Sequence, residues 1–134
     1  MLLHGWKSIL PTTPVPSWED GFHMELKLET LTHHDWVVIS VAGELDLHTV
    51  TALKDALSAT MAEGSSRIAL DLSDVGFMDS SSLGVIVASL KQARERDGTL
   101  ALVGVHGSPA KVLALTGLDA AFTIVPSREQ LPVS

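Results

Sequence analysis

After residue 23 the hydrophobic residues of this chain switch repeatedly between two spacings, and that alternation limits the folds open to it. Met24, Leu26 and Leu28 alternate with Glu25, Lys27 and Glu29, the period of a strand with one wet face. The polar stretch Thr32–Asp35 is short enough to close a hairpin. Trp36 to Ala42 is apolar and rich in β-branched residues, which suits a more deeply buried strand. Val50, Leu53, Leu57 and Met61 then fall at helical spacing, with Thr49 as candidate N-cap and Gly64 near the end. Arg67 to Leu72 reads as a third strand. Leu83, Ile86, Val87, Leu90 and Ala93 mark a second helix, closed by a charged stretch and Gly98. Thr99 to Val103 reads as a fourth strand. Ser108 and Pro109 suit an N-cap followed by proline in the first helical position, and Gly117 suits the end of that helix. Phe122 to Val125 gives a last short strand, and Pro132 disfavours a helix in the tail.

Two strands followed by repeated helix–strand units imply parallel neighbours joined by right-handed crossovers. The expected fold class is therefore α/β, a mixed sheet of four to five strands flanked by α-helices. Residues 1–23 differ: they hold Pro11, Pro14 and Pro16, Trp6 and Trp18, and no periodicity. They are expected to form a disordered or loosely attached leader, ahead of one domain over residues 24–134. Met24, at the head of the first regular segment, is a second candidate translation start.

The 134 residues are enough for one cored domain. The absence of cysteine excludes disulfides and thiolate metal sites. A net charge of −7 argues against direct nucleic-acid binding, which needs a basic surface. No apolar run reaches the length of a membrane span, and Met1 to Leu10 lacks the pattern of a signal peptide. A cytoplasmic protein without a membrane partner is the expectation.

The chemistry concentrates in Phe77-Met78-Asp79-Ser80-Ser81-Ser82-Leu83-Gly84, where the third strand feeds the second helix. Asp79 and the serines stand where an N-cap belongs, at a helix start with free N–H groups and a positive dipole end. A hydroxyl there tolerates added negative charge. A phosphate would bring a charge of about −1.5 to −2 and three acceptor oxygens, which the helix N-terminus helps to accommodate. A docked partner surface need not tolerate it. The same residues also suit a plain helix cap, which is what Asp and Ser at such a position usually do.

This segment resembles the Asp-Ser-Ser/Thr-Gly-Leu-Gly signature of the bacterial anti-sigma factor antagonists, the stand-alone STAS proteins. Gly43-Glu44-Leu45-Asp46 with Thr49 resembles the family motif that closes the second strand and opens the first helix. Leu115-Thr116-Gly117-Leu118-Asp119 with Phe122 resembles the end of the third helix. The likeness covers about residues 24–125, and three motifs in order on a matching strand–helix sequence make it specific. It implies a partner-switching mechanism. The unphosphorylated antagonist binds an anti-sigma factor, often itself a serine-protein kinase, and so releases a sigma factor. Phosphorylation ends the complex, and a PP2C-type phosphatase resets it. By motif position the acceptor is Ser81, with Ser80 as the alternative. Asp46, Asp79, Ser80, Ser82 and Leu83 match the partner-binding surface. No cofactor, metal or catalytic residue is implied. Ser82 stands where the family has glycine, and the tail Arg128 to Ser134 is shorter than the helix that often ends the family.

Other constellations are weaker. Ser81 is not in a Gly-x-Ser-x-Gly elbow, and no histidine is paired with it in sequence. Asp71, Asp74 and Asp79 do not have the spacing of a calcium loop. Gly104 to Lys111 lacks the Gly-Lys-Ser/Thr ending of a phosphate loop. The second reading of the chain is a STAS adaptor subunit of a stress-signalling scaffold or transporter complex, using the same fold without phosphorylation.

Overall fold

The structure is a computed structural model that describes residues 26–133. The leader expected over residues 1–23 and a first strand opening at Met24 lie outside the described residues. Within them the order is β1 (Lys27–His33), β2 (Trp36–Leu45), α1 (Val50–Ala62), β3 (Arg67–Met78), α2 (Ser80–Glu95), β4 (Thr99–Val103), α3 (Gly107–Thr116) and β5 (Thr123–Val125). Single 3₁₀ turns lie between α3 and β5 at Leu118–Ala120 and after β5 at Arg128–Gln130.

The five strands lie in the sheet in chain order. β1 and β2 form the antiparallel hairpin, closing at His33 opposite Trp36. The remaining neighbours are parallel. Every parallel crossover steps the same way across the sheet, so right-handed connections bring all helices to one face. Leu53 and Leu57 of α1, Leu83, Ile86 and Leu90 of α2, and Leu113 of α3 share a core there with Ile39, Ile68, Leu70, Leu100 and Leu102.

Alternate strand residues point to the other face, which is covered without a helix. Val38, Ala69, Ala101 and Val103 cluster there with Trp36 and Leu131. The segment after β5 is tied across them. Trp36 Nε1 donates to the Pro132 carbonyl at 2.7 Å, and Arg67 donates to the same oxygen at 3.2 Å. Arg128 pairs with Asp71 at 2.9 Å. Burial pulls the Asp71 carboxyl upward, but hydrogen bonds from Ser73 and Arg128 outweigh it and hold the pKa below the usual Asp value.

Four local expectations change. The third strand does not stop at Leu72 but runs to Met78, and the second runs on from Ala42 to Leu45. Between Ser40 and Ala42, and again between Gly43 and Glu44, β3 carries one more residue than β2. These bulges break the period of two that the sequence would need to show. Thr49 occupies the N-cap position of α1 but makes no capping bond; its hydroxyl donates instead to the Glu44 carbonyl at 2.6 Å. Ser108 lies in the first turn of α3 rather than ahead of it. Pro109 is tolerated there because the first N–H groups of a helix have no intrahelical acceptor.

Candidate functional site

The bulged end of β3 delivers the chain to α2 with Met78 buried and Phe77 turned outward, 42 % exposed. Asp79 follows in extended conformation and caps the helix, its Oδ1 accepting the Ser82 N–H at 2.9 Å. The same oxygen accepts the Ser81 hydroxyl at 3.1 Å. Oδ2 reaches across to the β2–α1 loop and accepts the Leu47 N–H at 3.1 Å. Slight desolvation raises the Asp79 pKa, but the Ser82, Ser81 and Leu47 donors prevail and leave it below the usual value.

The three serines have different surroundings. Ser80 and Ser81 are exposed, and Ser81 alone of the pair has its hydroxyl on the Asp79 carboxylate. Ser82 is fully buried at 0 % exposure. Its hydroxyl lies near the Asp79 carboxylate but meets no partner in hydrogen-bond geometry. Leu83 is also in the core, 5 % exposed. The expectation that Ser82 and Leu83 belong to a partner-binding surface therefore needs correcting: helical periodicity turns both side chains inward.

Asp46 lies at the neighbouring loop, half-buried. Its Oδ1 accepts the His48 N–H at 2.9 Å and the Thr49 N–H at 3.0 Å, a local turn of the kind Asp favours. Asp46 and Asp79 thus hold one loop from its two sides. Between them Leu47 is 67 % exposed. Leu47 and Phe77 are apolar, exposed and adjoin the α2 N-terminus through the Asp79 and β3 connections. Leu47 stands three residues before Val50 and so continues the helical spacing, which leaves its exposure without a sign in the sequence. Phe77 is invisible without the bulge. The site therefore offers an exposed hydroxyl beside a carboxylate, with an apolar and acidic rim formed by Glu44, Asp46, Leu47 and Phe77. The recorded partner of Ser81 is a carboxylate, not an imidazole. Among the described residues no group of three His, Cys, Asp or Glu could hold a metal ion, and no helix is long and apolar enough to cross a membrane.

The family model of the STAS domain matches residues 27–131. The chain belongs to the STAS family. Within the STAS proteins it is 37 % identical over 95 residues to the anti-sigma-B factor antagonist of Staphylococcus epidermidis, covering 71 % of this chain and 88 % of that one. The crystal structure of an anti-sigma factor antagonist from Mycobacterium paratuberculosis superposes with a TM-score of 0.71 at 29 % identity, over 78 % of this chain and 88 % of that chain. The Bacillus cell fate determinant SpoIIAA in its phosphorylated form gives a TM-score of 0.62 at 25 % identity, over 78 % of this chain and 94 % of that chain. The five-stranded mixed sheet with three helices is thus the STAS fold expected from the sequence.

Proposed function

We propose that this STAS domain is a cytoplasmic anti-sigma factor antagonist, switched by phosphorylation of Ser81. In this reading the unmodified chain binds an anti-sigma factor that is also a serine-protein kinase, and so frees a sigma factor. The kinase transfers phosphate from ATP to Ser81, the complex ends, and a PP2C-type phosphatase restores the antagonist. The observation that carries the reading is an exposed Ser81 hydroxyl at the mouth of α2, donating to Asp79. A relative of the same fold is itself described in a phosphorylated form.

The physics supports a charge switch. The docking face would comprise Asp46, Leu47, Phe77, Asp79 and Ser80, a mixture of acidic and exposed apolar side chains. A dianionic phosphate on Ser81 leaves the domain folded, because a helix N-terminus accommodates anions. It opposes any partner that approaches closely, because the phosphate must then be desolvated. Ser81 is favoured over Ser80 because its hydroxyl is the one oriented by a carboxylate.

The test combines intact mass and binding. Incubation with the cognate kinase and ATP should add one phosphate, mapped to Ser81, and Ser81→Ala should abolish it. Ser81→Ala should bind the anti-sigma factor like the wild type. Ser81→Asp should bind at least about tenfold more weakly, or ~1.4 kcal/mol. Equal binding by both variants would sink the charge switch, and phosphate on Ser80 in the wild type would move the acceptor.

A further inference from the structure

The Asp79 carboxylate serves two elements at once. Oδ1 closes the α2 N-terminus on the Ser82 N–H at 2.9 Å and takes the Ser81 hydroxyl at 3.1 Å. Oδ2 holds the Leu47 N–H at 3.1 Å, 32 residues away in sequence. The Leu47 side chain, 67 % exposed, has little core packing to fix it. The rest of that loop is tied to itself, through Asp46 to His48 and Thr49 and through Thr49 to Glu44. Among the described residues the Asp79 bond is the recorded one that fastens the Leu47 amide. A serine cap would satisfy α2 equally well, but its shorter side chain would not span to a second element.

We infer that Asp79 is a positioning residue that couples the state of Ser81 to the β2–α1 loop, so that phosphorylation reshapes the docking face as well as recharging it. The inference rests on Ser81 being the phosphoacceptor and specifies how that site is read out.

The coupling follows from which groups can donate. Transfer of the γ-phosphoryl group from ATP breaks the Ser81 O–H bond, forms the Oγ–P bond, and releases ADP and the proton. The ester oxygen then has no hydrogen for Asp79 Oδ1. In its place stands a phosphate with three acceptor oxygens and up to two negative charges, facing a carboxylate that is itself held ionised. Both anions compete for the Ser82 N–H and the positive end of α2. The phosphate carries more charge and matches a helix N-terminus better. Asp79 turns out of the cap, and Oδ2 leaves the Leu47 N–H with it. The loop that presents Leu47 and borders Asp46 loses its fastening to α2.

Amide NMR of the full chain tests this without depending on a kinase. Three proteins are compared: unmodified wild type, the chain with phosphoserine installed at position 81 by semisynthesis, and Asp79→Ser. An amide proton bonded to a carboxylate resonates downfield. The Leu47 amide should lie downfield in the unmodified wild type and move upfield in Asp79→Ser, while the Ser82 amide stays hydrogen-bonded to the new cap. In the phosphoserine protein the Leu47 amide should move to its position in Asp79→Ser. Asp79→Asn, which keeps one acceptor for Ser82 but turns an NH₂ toward Leu47, should release Leu47 as well. It serves as the second variant if Asp79→Ser folds poorly. Unmodified Asp79→Ser should also bind the anti-sigma factor about tenfold more weakly. A Leu47 amide with the same shift in phosphoserine and unmodified proteins overturns the coupling. A kinase that leaves the mass of the wild type unchanged overturns the phosphoacceptor reading instead, and the comparison of the three proteins still decides the coupling.

Discussion

At the scale of single residues, three consecutive serines end in three different situations, and helix geometry separates them. Asp79 supplies the cap that lets α2 begin immediately before them. Replacing such a cap by alanine typically costs about 0.5–2 kcal/mol, so Asp79→Ala should lower the unfolding free energy by that amount, read as a lower urea midpoint with an unchanged slope. Ser82 presents the opposite case. Its buried hydroxyl has no hydrogen-bond partner, and leaving such a group unsatisfied costs about 1–3 kcal/mol. Ser82→Ala removes the orphan and keeps a good helix former. It should therefore raise stability by roughly 1 kcal/mol in the same titration. It should leave Ser81 phosphorylation intact, because position 82 has no surface for a kinase to read. The Ser82 side chain thus faces the core instead of a partner.

At the scale of elements, close approaches fix where the strands can turn. A Cβ on Gly98 would sit 2.4 Å from the Ser66 carbonyl oxygen, a backbone atom with no room to yield. Gly98→Ala should lose about 1–3 kcal/mol, the usual penalty of overpacking, measured by chemical denaturation. Gly76, within the bulged part of β3, has open space around it, and Gly76→Ala should show no such clash penalty. These positions also explain how much of the fold was legible. The hairpin, α1, α2 and the starts of β3 and β4 follow from hydrophobic spacing and a short polar loop, and α3 from its proline and closing glycine. The far half of β3 does not, because two extra residues opposite β2 scramble the alternation over Ser73–Phe77. Asp79 as a cap was readable from its place before an apolar helical pattern. Its bond to Leu47 joins residues 32 apart, and only the β2–β3 register brings them together. For the same reason Phe77 could not be recognised as exposed, whereas the burial of Ser82 was legible in the helical spacing, four residues before Ile86, and was masked by its polar side chain.

For the molecule as a whole, the two faces of the sheet are closed by different means: three helices on one, a short tied segment on the other. The Asp71–Arg128 pair belongs to the second closure. The folded-state pKa of Asp71 lies below its ordinary value, while the unfolded chain titrates near 3.9. Its contribution is therefore complete above the unfolded value and lost as pH falls through the folded one. Asp71→Asn should flatten the acid limb of a stability profile below about pH 4, whereas the wild type should weaken steadily there. Equal acid limbs would remove Asp71 from this role. Shortening the chain after Pro126 should uncover Trp36, whose indole is bonded to Pro132, and lower the melting temperature. The sheet order repeats the chain order from β1 to β5, so no strand has to be inserted between two that have already paired. Each strand therefore pairs with a neighbour adjacent in chain order, which keeps the contacts of the sheet local in sequence. The hairpin is the natural seed, since neighbours close in sequence cost least to bring together. The surface around Val38 and Ala69 remains unsealed until the segment beyond β5 arrives, so a stalled nascent chain would carry a sticky sheet for chaperones to shield.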